Sequence, residues 1–397
     1  MKIQNKLYVN FCFAVLLVIT GISTNAQAYT LSIRAKVIRS YEHTNDSIFI
    51  AGNFNEWNPG NPEYILIKTG DVYSITIPNL KEDVYQFKFT RGDWSKAEVS
   101  YNGDMIENHL VKLSCDSTLE YTIGAWQDDY PAKEKLHTAS AHVSIIDTAF
   151  FMPQLNRTRR VWIYLPEGYA KAKNKKRYPV MYMHDGQNVF DNYTSGYGEW
   201  GVDECLDTLL ANGEPPCIVV GIDCGPKRFN EYNPFYFEKF GEGEGDKYVA
   251  FLANTLKPFI DKHYRTLKDK DNTIIAGSSM GGLISYYAML TYPNVFGKAG
   301  VFSPAFWTAP GIDQVTDSLA SKTNGKIFFY MGELEGGTYV ADMQRVADNI
   351  GRRSDAIIYT VIDPLSRHNE QAWRKWFAEF YRWIMGENFN KQVKLEK

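Results

Sequence analysis

Thr273-Ile274-Ile275-Ala276 is a short apolar run that stops at Gly277-Ser278-Ser279-Met280-Gly281, and Leu283-Ile284-Ser285-Tyr286-Tyr287-Ala288-Met289-Leu290 resumes with helical period. The order reads strand, sharp turn, helix. A Gly-x-Ser-x-Gly pentad recurs by chance in long chains, but between a strand and a helix it has a mechanical meaning. The small residues Gly277 and Gly281 let the chain turn tightly, so that Ser279 carries its hydroxyl beyond the sheet edge. The N–H of Met280, at the start of the helix, then faces any charge that develops on a bound carbonyl oxygen.

Around this turn, strands and helices alternate. Residues 143–146 and 161–166 suit an opening antiparallel pair; 179–183 is a buried strand type, and 217–222, 299–302, 326–331 and 356–362 are strands; 200–210, 248–264, 339–352 and 370–385 have helical period. Alternation of this kind predicts a mostly parallel sheet with helices on both faces and functional groups gathered where the strands end.

A nucleophilic Ser279 needs a base and an acid, which in this fold follow it in the order acid, then His. His368 is the only one of seven histidines beyond Ser279, and it lies in the loop between the last strand and the last helix. The acid belongs after the preceding strand, where Gly332-Glu333-Leu334-Glu335-Gly336-Gly337 offers two carboxylates. Glu335, beside the glycine pair, is preferred to Glu333; Asp342 and Asp363 are more distant alternatives. The second oxyanion donor belongs to the loop after the 179–183 strand, where Gly186 permits a turn that aims the N–H of Gln187. His184 and Asp185 read as loop braces. Arg228 and Tyr232 either border the substrate pocket or, with Glu231, hold their loop by an ion pair, and Trp307 supplies an aromatic wall.

Residues 1–28 carry Lys2 and Lys6, an apolar segment over 11–22, and Ala26-Gln27-Ala28, the pattern of a cleaved export signal, so a secreted or periplasmic location is expected. The apolar segment is shorter than the ~20 residues a bilayer span needs, so no membrane insertion is expected. The formal charge of −3 and the lack of a dense Lys/Arg run other than Lys171-Ala172-Lys173-Asn174-Lys175-Lys176-Arg177, which reads as a solvated loop before a strand, argue against nucleic acid as a partner. Beyond the signal, Cys115, Cys205, Cys217 and Cys224 remain; an oxidising compartment permits a bridge among the last three. No Cys/His spacing of the zinc type occurs, and the chemistry above needs no metal or organic cofactor.

Residues 29–128 show only short alternating runs split by turn clusters, the signature of a small all-β, immunoglobulin-like sandwich. Residues 129–141 are polar and aperiodic, a linker, and 142–397 form the larger domain.

Two resemblances follow. Ala51-Gly52-Asn53-Phe54-Asn55-Glu56-Trp57-Asn58-Pro59 and Tyr85-Gln86-Phe87-Lys88-Phe89 resemble starch- and glycogen-binding modules. This implies that Trp57 and Lys88 face sugar, with Trp94 as the second ring, although Trp94 precedes the position where such modules carry theirs. The alternative is a scaffold in which these rings are core or interface aromatics. Met183-His184-Asp185-Gly186-Gln187-Asn188-Val189-Phe190-Asp191, Ala276-Gly277-Ser278-Ser279-Met280-Gly281-Gly282 and Ser366-Arg367-His368-Asn369-Glu370-Gln371-Ala372-Trp373 look like esterase-D-type α/β-hydrolases. That group includes feruloyl, acetyl-xylan and siderophore trilactone esterases. The resemblance implies a serine carboxylic-ester hydrolase with an α/β-hydrolase fold, acting on an ester-bearing carbohydrate from which it removes feruloyl- or acetyl-type groups. A siderophore esterase, or a glycan-binding protein with a relic hydrolase fold, is the alternative.

Overall fold

The computed structural model describes residues 27–38, 43, 45–131, 134–171 and 175–386. The candidate export segment 1–28 lies outside them except for its last two residues. The chain divides into two compact units, 1–127 and 128–397.

The first unit is a β-sandwich. One sheet orders Ile67–Thr69, Val72–Leu80, Tyr29–Val37 and Ser117–Ile123, a second orders Phe49–Gly52, Asp83–Thr90 and His109–Leu113, and Glu98–Val99 pairs with Ala125–Trp126 in a small third. Tyr29–Val37 pairs antiparallel with Val72–Leu80 and parallel with Ser117–Ile123, so the ends of the unit lie side by side in one sheet. Alternate residues point inward, and Leu31, Ile33, Ile50, Phe87, Phe89, Leu113 and Ile123 are completely buried between the sheets.

The second unit is built on eight strands: β1 (Val143–Met152), β2 (Arg157–Tyr164), β3 (Val180–His184), β4 (Ile218–Ile222), β5 (Thr273–Ser278), β6 (Lys298–Phe302), β7 (Asn324–Gly332) and β8 (Asp355–Asp363). Their order is β1-β2-β4-β3-β5-β6-β7-β8; β2 runs antiparallel to its neighbours and the rest are parallel. This is the α/β-hydrolase sheet. The central strands β3, β4 and β5 are buried at every position, as a sheet covered on both faces requires.

Helices α1 (Val202–Ala211), α2 (Gly245–Phe251, continued through Leu252–Leu256 to Lys257–His263), α3 (Met280–Thr291), α4 (Ile312–Leu319), α5 (Tyr339–Arg353) and α6 (Glu370–Met385) flank the sheet. The middle of α2 widens to a π-turn just before Pro258, which has no N–H to give the preceding turn. α3 is buried on nearly all sides, so its mixed apolar sequence lacks the polar stripe of a surface helix. α4 was not evident from the sequence, where Asp313, Gln314, Asp317 and Ser318 interrupt the apolar pattern.

The polar stretch expected to be a linker has no regular structure over 134–142, yet it is bonded along the second unit, with His142 Nδ1 2.8 Å from Asp207. The four described cysteines are free, so the bridge allowed among Cys205, Cys217 and Cys224 is absent. Cys217 is buried in the sheet and Cys224 bonds Gln187 instead.

Candidate active site

Ser279 sits between β5 and α3 with φ 58° and ψ −121°, a conformation that side-chain-bearing residues seldom adopt. Three backbone bonds hold it there: its N–H donates to Phe302 O (2.9 Å), and its carbonyl accepts from Leu283 (3.1 Å) and Ala305 (3.1 Å). Gly277 is required by space. A Cβ there would meet His184 Cδ2 at 2.9 Å and the Gly281 backbone at 3.0 Å. His184 is packed under the turn, its Nδ1 3.0 Å from the Tyr248 hydroxyl, and burial pushes its imidazole down to about 3, so it stays neutral.

Beyond β7 the chain makes a single turn, Glu333–Glu335, that aims its first carboxylate at solvent and its second inward. Glu335 is 4% exposed. Its Oε1 accepts from the Gly332 N–H (2.9 Å) and the Ser303 hydroxyl (2.5 Å), and its Oε2 accepts from His368 Nδ1 at 2.6 Å. Of the two glutamates, it is Glu335 that meets the histidine. Asp342 pairs instead with Thr338 and Arg345 on α5. Asp363 builds the histidine loop: it accepts from Ser366 (2.5 Å), Lys375 (2.6 Å), Trp376 (2.7 Å) and the Leu365 N–H (3.1 Å), donors that outweigh burial and hold its carboxyl far below the usual range.

Burial lowers the His368 pKa, but the Glu335 carboxylate more than offsets this and leaves it above the ordinary imidazole value. The Trp373 ring stands edge-on to His368, centroids 5.1 Å apart, while its indole N–H donates to Ser303 Oγ at 2.9 Å. Ser303 itself has φ 42°. Neither Ser303 nor Trp373 was singled out as a functional residue from sequence. The signal for Trp373 was its place five residues after His368 on the incoming helix; for Ser303 there was none beyond its position after β6.

Gln187 lies in the turn Gly186–Asn188, after β3. Gly186 is needed for a reason other than the one read from sequence. The positive φ, 56°, belongs to Asp185, and a Cβ on Gly186 would meet the Gly221 and Ile222 backbone at 2.8 Å. The Gln187 side chain is tied at both ends to Cys224, Oε1 accepting the Cys224 N–H (3.0 Å) and Nε2 reaching Sγ (3.2 Å). Met280 is the first residue of α3 and Gln187 the second of the turn Gly186–Asn188, positions whose N–H has no partner within the turn.

Arg228 and Tyr232 are braces. Arg228 grips Asp185 with two 2.7 Å bonds; burial would raise the Asp185 carboxyl, and Arg228 more than offsets that to lower it. Tyr232 is fully buried and its hydroxyl accepts the Asp185 N–H at 3.3 Å, so of the two alternatives read from sequence it holds the loop and does not border a pocket. Glu231 pairs with Arg157 and Arg159. Trp307 is 48% exposed, two residues beyond the Ala305 N–H that bonds Ser279, stacked on Tyr339 (6.3 Å) and edge-on to Phe237 (5.7 Å).

Residues 153–384 match the family model described as "Putative esterase". The chain belongs to this esterase family. The family and its named relatives support a carboxylic ester hydrolase, and the chain is similar to several proteins. It is 24% identical over 251 residues to YbbA of Bacillus subtilis, an uncharacterized protein, covering 58% of this chain and 94% of that one. To the endo-1,4-beta-xylanase/feruloyl esterase of Xylanibacter ruminicola it is 31% identical over 180 residues, 45% of this chain but 23% of that protein. Among solved structures, the enterochelin esterase of Shigella flexneri superposes with a TM-score of 0.52 at 15% identity, covering 91% of this chain and 93% of that one, a likeness of fold.

In the first unit, Trp57 and Trp94 are neighbours, centroids 6.3 Å apart and planes inclined by 39°. The fold brings Trp94 beside Trp57 through the short turn Trp94–Lys96, despite its early position in the sequence. Trp57 is half-buried on a turn in which both it and Glu56 have positive φ, and Trp94 is exposed. Lys88, half-buried on the middle strand of the three-stranded sheet, has its pKa lowered by burial, with Glu98 and Glu107 opposing. Among the described residues no helix is long and apolar enough to cross a membrane.

Proposed function

We propose that the esterase is an exported serine esterase in which Ser279 is the nucleophile, His368 the base and Glu335 the acid, and that it releases feruloyl- or acetyl-type acyl groups from polysaccharide or oligosaccharide. The observation that carries the triad is the 2.6 Å bond between His368 and a Glu335 held on its other oxygen, in loops after the strands that follow the Ser279 turn. Neutral His368 takes the Ser279 proton as the hydroxyl attacks the ester carbonyl. Glu335 keeps the ring oriented and stabilises its cation. The N–H groups of Met280 and Gln187 hold the oxyanion. As the tetrahedral adduct collapses, His368 passes the proton to the leaving alcohol; water, deprotonated by the same ring, then releases the acid and restores Ser279.

The exposed Trp307, with Tyr339 and Phe237 beside it, favours an aromatic acyl group over acetyl, because a planar ring gains most from such a surface. The Trp57–Trp94 pair supports a sugar platform that keeps the enzyme on its polymer. A second reading has one observation in its favour: the likeness to the Shigella flexneri enterochelin esterase extends over both units, which supports a siderophore trilactone as substrate. Labelling of Ser279 by a fluorophosphonate, abolished in Ser279→Ala, tests the nucleophile. Turnover of methyl ferulate and feruloylated arabinoxylan against a ferric catecholate trilactone decides the substrate.

A further inference from the structure

The turn that carries the Gln187 N–H is fixed by the loop after it. Thr194 donates its hydroxyl to the Gln187 carbonyl at 2.8 Å, and Asn188 accepts from Gly196 on its side chain (3.0 Å) and from Trp200 on its backbone (2.8 Å). Residues 189–200 contain no helix or strand of their own. Their anchor comes from elsewhere in the second unit.

Asp191 is 3% exposed, and its carboxylate accepts from His137 Nδ1 (2.7 Å), the Thr138 N–H (3.1 Å) and the Tyr193 N–H (3.0 Å). The Thr138 hydroxyl donates to Glu199 at 2.7 Å and accepts the Asn192 N–H at 2.8 Å. Lys135 reaches the Ser195 carbonyl at 2.5 Å, the His137 ring stacks on Tyr193 at 4.0 Å, and the Ser140 N–H bonds Asp203 at 2.7 Å. Six residues without regular structure thus grip the loop at five points along its length and continue to the start of α1.

We propose that residues 135–140 are a strap that positions the oxyanion turn, setting the place of the Gln187 N–H through Asp191, Asn192, Ser195 and Glu199. This rests on the reading of Gln187 as an oxyanion donor. The magnitudes separate positioning from stability. The His137 side chain is 68% exposed, so cutting it back removes little packing from the fold. A displaced catalytic group is far more costly: a shift of about 1 Å lowers a rate by as much as a hundredfold. Without the His137 imidazole the buried Asp191 carboxylate loses one of its three donors, and without the Thr138 hydroxyl Glu199 and the Asn192 N–H lose their partner; either loss lets the loop shift and the Gln187 carbonyl with it.

The test uses the full chain with His137→Ala, Thr138→Val and His137→Asn, the last because an Asn amide can stand where the imidazole Nδ1–H stood. The readouts are kcat and KM on a soluble ester, Tm, and the affinity of a boronic acid that forms a tetrahedral adduct on Ser279. The expected result is a kcat lower by about tenfold to a hundredfold in the first two variants, with KM within about threefold. Boronate affinity should fall in step with kcat, and His137→Asn should restore most of both. A kcat within about twofold of wild type, or a loss that neither tracks boronate affinity nor recovers in His137→Asn, overturns the strap. A wild-type chain whose Ser279 forms no adduct at all overturns the mechanism itself, and the strap with it.

Discussion

Glu335 and His368, 33 residues apart in the chain, are joined by a 2.6 Å bond from imidazole Nδ1 to carboxylate Oε2. The carboxylate cannot turn away, because Gly332 and Ser303 hold its other oxygen. The ring is thereby fixed with Nε2 as the atom left for chemistry, which is what a base serving a hydroxyl requires.

Glu335→Gln should lower kcat on a soluble ester by roughly a hundredfold to ten-thousandfold with little change in KM, since an amide neither stabilises the imidazolium nor enforces the tautomer. Glu333→Gln, at an exposed residue of the same turn, should stay within about twofold. Steady-state kinetics on both variants checks this, and the opposite ranking would pass the acid's role to Glu333.

The pH dependence has a definite sign. His368 serves as a base only when neutral, and its pKa is raised, so kcat/KM should climb with pH through a midpoint above that of a free imidazole, ~6.5. Glu335→Gln should move that midpoint down. Glu370, buried two residues further on, is pushed up to about 7 mainly by burial and couples to His368, so the limb should be shallow and sharpen in Glu370→Gln. The stability that the His368 charge lends the fold is complete below its unfolded pKa and lost as pH rises through the folded one. Profiles of kcat/KM from about pH 4 to about pH 9 on the three proteins test this.

Ser303 links two functional groups, donating to Glu335 and accepting from Trp373. Ser303→Ala leaves one buried donor and one buried acceptor short, so it should cost about 1–3 kcal/mol of stability in denaturant titration. It should also lower kcat about tenfold, because Glu335 gains freedom to turn. Trp373→Phe, which keeps the ring near His368 but removes the N–H, should have the smaller effect on kcat. Equal rates in wild type and Ser303→Ala would show that Gly332 alone holds the carboxylate.

The parts of this site that were legible in sequence depend on local order. Strand, Gly-x-Ser-x-Gly and helix lie within one stretch, and His368 could be found by elimination because nothing else of its kind follows Ser279. The choice between Glu335 and Glu333 could not be closed, because it turns on the direction of a three-residue helical turn whose last side chain bonds back to the Gly332 N–H. The two readings of Tyr232 stayed open for a similar reason: an aromatic residue in a strand-end loop suits a pocket rim or a brace, and only tertiary packing shows its hydroxyl turned under Asp185. The role of 135–142 was hidden in its composition. Polar residues without periodicity describe a free linker and a bonded strap equally well, and the carboxylates that distinguish them lie more than fifty residues away.

The sandwich offers the sharpest separation between binding and chemistry. Trp57 and Trp94 present two inclined rings from turns outside the core, so removing either ring should leave the sheets intact. If they stack on pyranose faces, Trp57→Ala and Trp94→Ala should each lower retention on insoluble feruloylated arabinoxylan and slow release of ferulate from it. A stacked ring contributes on the order of 1 kcal/mol, so each loss should be several-fold, with the double variant near the product of the two. On methyl ferulate in solution, kcat/KM should be unchanged in all three, because tethering raises the local concentration of polymer and does nothing for a small soluble ester. Parallel assays on the two substrates decide the matter: equal losses on both, or a lower Tm with no change in retention, would make the pair a structural feature of the sandwich.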